Sequence, residues 1–152
     1  MTLQEYYNSL TFLALDELLK QHSQEKIEKL LSTFKCIKNP DLEEFLTTSS
    51  KAIQSEKRAI TRTYLYLELQ NNTLIVVAYF TIAIKILYSE GLSKSIIKKL
   101  DGIDKNREAM PSYLIAQLGK SDKCRYKIGL YILDNSIEKI RESHQIRSCP
   151  PN

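Results

Sequence analysis

Tyr113-Leu114-Ile115-Ala116-Gln117-Leu118-Gly119-Lys120 runs into Ser121-Asp122-Lys123-Cys124-Arg125-Tyr126-Lys127 and then into Ile128-Gly129-Leu130. The apolar run 112–118 is short enough for a buried strand, and Pro111 at its start removes no ladder donor. Residues 119–127 are polar and read as a loop. Beyond them Ile128, Ile132, Leu133, Ile137 and Ile140 recur at helical spacing, with Asp134, Glu138, Arg141 and Glu142 on the other side. Strand, loop and helix therefore follow one another. A helix start leaves backbone N–H groups unpaired at the positive end of its dipole, so such a junction can hold a phosphate without any side chain. Gly129 has no Cβ and lets a ligand approach the backbone. Lys120, Lys123, Arg125 and Lys127 gather four cations around one acid, Asp122. The junction suits a pyrophosphate; its plainer reading is a solvated basic loop beside a packing glycine.

Upstream, Leu3, Tyr6, Leu10, Leu13 and Leu18 mark one face of a helix over residues 3–19. Ser23 offers an N-cap for a second helix burying Ile27, Leu30, Leu31 and Phe34. Asn39-Pro40-Asp41 starts a third, with Pro pre-set for the first turn and Asp41, Glu43 and Glu44 at the positive dipole end. Leu42, Phe45 and Leu46 point inward, and this helix is expected to continue to Ala59. From Thr61 the period changes to that of a strand, the polar turn Gln70-Asn71-Asn72 follows, and residues 74–87 are rich in β-branched and aromatic types. That composition favours a hairpin over a buried helix, which periodicity alone would also allow. Residues 93–100 read as a short surface helix with Lys94, Lys98 and Lys99 outward, and 101–110 as a loop.

The 152 residues suit one domain, divided into an N-terminal helical segment at 1–30, a core at 31–146 and a tail at 147–152. Its 43% hydrophobic content is enough for one substantial core. Twenty-two basic against 18 acidic residues leave a formal charge of +4, which favours anionic partners but lacks the dense basic stripe of a nucleic-acid binder. Cys36, Cys124 and Cys149 include no Cys-x-x-Cys pair, and His22 and His144 stand far apart, so no zinc pattern can be assembled. The thiols read as free, in a reducing, cytoplasmic setting. Glu5, Asp16 and Glu17 break any signal peptide, and the run 74–87 falls short of the roughly 20 residues a membrane helix needs.

Several strings, in this order, resemble the GNAT superfamily of N-acetyltransferases: Phe34-Lys35-Cys36, Asp41-Leu42-Glu43-Glu44-Phe45-Leu46, Thr61-Arg62-Thr63-Tyr64-Leu65, Ala78-Tyr79-Phe80-Thr81-Ile82-Ala83, and the 113–120 strand quoted above. The similarity covers residues 27–146. It implies an α/β (α+β) fold, a mixed and mostly antiparallel sheet flanked by helices. It also implies acetyl-coenzyme A as cofactor and direct acetyl transfer to a bound amine. By that resemblance the backbone of Ile115, Ala116, Gln117 and Leu118 bonds the pantetheine arm and polarises the thioester. The pyrophosphate falls to Lys123, Cys124, Arg125, Lys127, Ile128, Gly129 and Leu130. Anchoring the superfamily loop pattern on Gly129 puts Tyr126 in its first place and Tyr131 in its last, so the pattern is partly met.

Relatives of that type continue past the pyrophosphate helix into further strands, whereas Pro150-Pro151 opposes a strand in the tail. The chain therefore reads as a truncated acetyltransferase, with an open sheet edge that invites a homodimer or a complementing chain. No catalytic residue is assigned. Glu68 is the one strand carboxylate that could act as a base, and its ordinary reading is a surface residue. Candidate acceptors are a small amine, a protein amine or an aminoacyl-RNA. The competing functions are a coenzyme-A-binding remnant without turnover and a non-enzymatic interaction protein.

Overall fold

Thr2 opens the first helix, α1 (Leu3–Ser9), through a reciprocal capping box in which Thr2 Oγ1 accepts from the Glu5 amide and the Glu5 carboxylate accepts from the Thr2 amide. The computed structural model describes residues 1–48, 50–101 and 108–148. Contrary to a single helix over 3–19, the backbone turns extended at Leu10 and residues Thr11–Ala14 form β1, followed by α2 (Leu15–Gln21). The Leu spacing is real, but β1 finds a sheet edge to pair with and Phe12 stacks against Tyr64 at 5.6 Å, so tertiary pairing overrides the helical period.

Ser23 caps α3 (Gln24–Leu31) by accepting from the Lys26 amide, and Pro40 occupies the first turn of α4 (Pro40–Thr47). The expected continuation to Ala59 does not occur. Thr48 is extended and Ser50 takes a left-handed φ of 53°, which ends α4 and starts α5 (Lys51–Lys57) in a new direction. Then come β2 (Thr61–Gln70) and β3 (Thr73–Tyr88), joined by Asn71 and Asn72 at φ 50° and 61°, the twin left-handed pair that Asn tolerates in a tight hairpin. After α6 (Lys94–Asp101), the reading of a loop over 101–110 lies largely outside the described residues. Its last two members, Ala109 and Met110, belong to β4 (Ala109–Lys120). Gly119 and Lys120, read as loop, also belong to β4. The chain then reaches α7 (Gly129–Ser148); residues 149–152 of the tail, Cys149 among them, lie outside the described residues.

The four strands form one antiparallel sheet in the order β1-β2-β3-β4. One face is covered by α2 to α5, burying Leu15, Ile27, Leu31, Leu46 and Ile53 against Leu65, Leu67, Val76 and Tyr79. The other is covered by α1 and α7, burying Tyr6, Ile128 and Ile132 against Tyr66, Val77, Phe80 and Ile82. Each of these large side chains contributes about 1.5–3 kcal/mol by leaving water. Several polar groups caught inside are paired: the Thr63 and Thr81 hydroxyls meet at 2.8 Å, and the Tyr79 hydroxyl donates to the Leu42 carbonyl at 2.6 Å. The helix α7 is thereby held so that its N-terminus lies at the end of β4 where the cationic loop begins.

Candidate functional site

The site is built from the C-terminal half of β4. Its pairing with β3 slips between Thr81 and Ile82: Thr81 faces Gln117 and Ile82 faces Ile115, which leaves Ala116 as the extra residue of a β-bulge. The bulge falls inside the stretch Ile115, Ala116, Gln117 and Leu118. Among the described residues β4 pairs only with β3, so the backbone groups along its outer edge have no strand partner. At Gly119 a Cβ would lie 2.3 Å from Leu42 Cδ1, so a side chain here would have to displace the end of Leu42 of α4.

Ser121, 3% exposed, then ties the loop down. Its amide donates to the Val77 carbonyl at 2.7 Å, and its hydroxyl accepts from the Lys35 and Lys123 amides and donates to the Lys35 carbonyl. The Asp122 amide reaches the same Lys35 carbonyl, and the Asp122 carboxylate accepts from the Ile37 amide at 2.9 Å. The Cys124 amide donates to the Ser121 carbonyl, while its thiol turns inward to the Tyr126 carbonyl and the Tyr6 hydroxyl. The first half of the loop is thus closed by the protein's own groups.

The second half is open. The Ile128 side chain is fully buried and its amide donates to the Tyr126 carbonyl at 3.1 Å. The first helical bond of α7 runs from the Ile132 amide to the Ile128 carbonyl, so the amides of Gly129, Leu130 and Tyr131 precede it and meet no acceptor among the described residues. A Cβ built on Gly129 would meet nothing within 4 Å. Lys123, Lys127 and Leu130 are exposed around this helix start.

Glu68 is not a surface residue. It is 8% exposed at the end of β2, where its carboxylate accepts from the Tyr6 hydroxyl, from Arg125 Nε at 2.9 Å and from Gln70 Nε2 at 3.0 Å. Arg125 also lies over the Tyr6 ring, its guanidinium carbon 5.4 Å from the centroid. Burial first, and the bond to Glu68 second, raise the Tyr6 phenol well above its ordinary value. Glu68 faces Ile75 in the sheet, whereas the bulge faces Thr81 and Ile82. Six residues of strand put it roughly 20 Å from the bulge. That distance and its three donors remove it as a base for chemistry there. Glu68 was named from the sequence as a candidate base and read as a surface residue, whereas it is a buried tie of the loop; Tyr6, Gln70 and Ser121 were given no site role from the sequence, because their contacts join segments far apart along the chain.

Two cavities flank this assembly. One of about 380 Å³ lies beside the loop, lined by Cys36, Lys38, Leu42, Lys120, Ser121, Asp122 and Cys124. The other, about 610 Å³, lies at the far end of the sheet, with Arg62, Tyr64, Ile82, Ile84, Tyr113 and Ser143 among its walls. There Arg62 is held by Glu56 at 2.5 Å, a carboxylate that also accepts from the Thr63 amide.

No protein-family model and no curated protein matches the sequence. Solved structures do match. AtaTR bound with acetyl-coenzyme A superposes with a TM-score of 0.63 at 17% identity, over 91% of this chain and 72% of that one. Its fold is GNAT-like. AtaT complexed with acetyl-methionyl-tRNAfMet gives 0.59 at 19% identity, over 88% and 70% of the two chains. A Tyr-to-Phe mutant of KacT gives 0.59 at 16% identity, over 87% and 68%. The GNAT-like architecture thus accounts for nearly the whole of this chain, which spans about 70% of each solved structure. The chain's bulged β4 and the α7 N-terminus are adjoining parts of that GNAT-like unit.

Proposed function

We propose that the chain binds acetyl-coenzyme A and transfers its acetyl group directly to an amine, as an N-acetyltransferase. The observation that carries this reading is the pair of open backbone stretches on either side of the tied loop: the outer edge of β4 from the Ala116 bulge to Leu118, which has no strand partner among the described residues, and the amides of Gly129 and Leu130. The outer edge of residues 115–118 offers the alternating donors and acceptors that an amide-containing pantetheine arm pairs with. The diphosphate would lie at the start of α7, where the dipole, the free amides and Lys123 and Lys127 favour negative charge. Arg125 brings a further cation. A carbonyl hydrogen-bonded at the bulge would be polarised toward attack by the amine.

The solved neighbours include one with acetyl-coenzyme A and one with an acetylated methionyl-tRNA. An aminoacyl-RNA is therefore the first acceptor to test, followed by small and protein amines. We further propose that two copies, or this chain and a complementing one, pair through the distal end of the β3–β4 arm, before the bulge, which leaves the edge at 115–118 to the cofactor.

A second reading, coenzyme A binding without turnover, draws support from Glu68, which is committed to Tyr6 and Arg125 and leaves no strand carboxylate at the bulge. One experiment separates the two. Acetyl-coenzyme A at a hundred times its Kd should stabilise the protein by about 2.7 kcal/mol, or about 5–10 °C in Tm for a chain of this size. Labelled acetyl should then appear on aminoacyl-tRNA or on one of the amines. A thermal shift without label transfer to any acceptor supports binding alone, and no shift at saturation removes both readings.

A further inference from the structure

The loop between β4 and α7 is tied to an element far from it in sequence. Tyr6 of α1 reaches across to donate its hydroxyl to Glu68 of β2, to stand 3.7 Å from the Cys124 sulfur, and to set its ring 4.4 Å from that of Tyr126. Glu68 holds Arg125 by Nε, and Gln70 Nε2 bridges the Glu68 carboxylate and the Lys123 carbonyl at 3.0 Å each. Lys123, Cys124, Arg125 and Tyr126 are thus each gripped by a group from α1 or from the end of β2.

A carboxylate 8% exposed is strongly penalised unless its donors stay in place, so the arrangement resists partial opening. Arg125 is held by its inner nitrogen. Its side chain stays more than half exposed, and its two terminal nitrogens have no protein partner among the described residues.

We propose that Tyr6 and Glu68 are positioning residues for the diphosphate loop. Acting together, they fix the loop backbone before the cofactor arrives and present the outer edge of the Arg125 guanidinium to it. This inference rests on the cofactor reading above. It assigns α1 a task that the packing of the sheet does not require of it: Tyr6 is a buried aromatic whose hydroxyl, not its ring, carries the function. A loop held in its bound shape loses less entropy on binding, so loosening it weakens affinity without touching the reacting atoms.

The test compares wild-type protein with Tyr6→Phe, which keeps the ring, and with Glu68→Gln, which keeps the shape. Hydrogen exchange of the unliganded protein is read over residues 121–128 and over the β2–β3 hairpin, and acetyl-coenzyme A affinity by calorimetry. Both variants should speed exchange in 121–128 while leaving the hairpin unchanged. Both should raise the acetyl-coenzyme A Kd about tenfold, the scale of one charge-assisted hydrogen bond. In turnover the loss should fall on the KM for acetyl-coenzyme A, with kcat kept. Arg125→Gln should cost much less affinity in the Glu68→Gln background than in wild type. Unchanged loop exchange, or additive losses for the Glu68 and Arg125 changes, overturns the positioning role. Failure of wild-type protein to bind acetyl-coenzyme A is a separate result that overturns the cofactor reading, and altered loop exchange would then still stand as a structural tie.

Discussion

Two glycines close to one another in sequence do opposite work. Gly119 makes room for Leu42: a Cβ there would meet Leu42 Cδ1 at 2.3 Å, so the end of that buried side chain would have to shift. Gly119→Ala should cost about 1–3 kcal/mol in chemical denaturation as Leu42 is pushed from its place. A stability change within error would mean that α4 yields freely. Gly129 is required by nothing in the fold, since its Cβ would face open space. The place of Gly129 at a helix start was legible in the sequence, and the structure leaves open space where its Cβ would stand. Glu68 was not legible in the same way. Its partners Tyr6 and Arg125 lie 62 and 57 residues away along the chain, and strand alternation alone cannot foresee what crosses the end of a sheet.

At the scale of elements, local chemistry announced what local chemistry controls. Asn71-Asn72 turns, Ser23 caps and Pro40 starts a helix as their types demand. Two missed features were decided by neighbours, β1, which pairs with the edge of β2, and the Ala116 bulge, where β3 and β4 slip in register; a third, the break between α4 and α5, lies in the left-handed backbone of Ser50. The distal arm of β3 and β4 carries a consequence. Ile84, Ile86, Leu87 and Tyr88 are between 40% and 66% exposed, and Leu114 is 40% exposed beside them. An apolar ribbon with an open edge should associate with itself. Sedimentation velocity should show mass rising with concentration, and Ile86→Lys should shift the distribution toward monomer. A wild-type chain that stays monomeric at every concentration would contradict this.

For the whole molecule, charge and composition limited the possible partners but did not locate a site. Among the described residues no helix is long and apolar enough to cross a membrane. The location of the site comes from the three-layer arrangement, which brings α1, the end of β2, the β4 exit and the α7 start together. That arrangement also buries phenols. Burial raises Tyr6, Tyr66 and Tyr79 above their ordinary value, with the Glu68 and Tyr7 hydroxyl contacts adding to the first two. Their folded values exceed the unfolded value of about 10, so above it the folded state binds more protons than the unfolded one. The stability they contribute is complete below about pH 10 and is lost as pH rises beyond it. Ultraviolet titration should show these phenols ionising only together with loss of ellipticity; ionisation in a still-folded protein would contradict their burial.

The proposed cofactor site depends most directly on the amides at the start of α7. Calorimetric titration of coenzyme A into wild-type protein and into Gly129→Val measures their role. The prediction is clear binding by wild type, a loss of affinity of at least about a hundredfold in the variant as its side chain blocks backbone contact, and a Tm within about 1 °C of wild type. Equal affinity in the two proteins would contradict the claim that those amides hold the diphosphate.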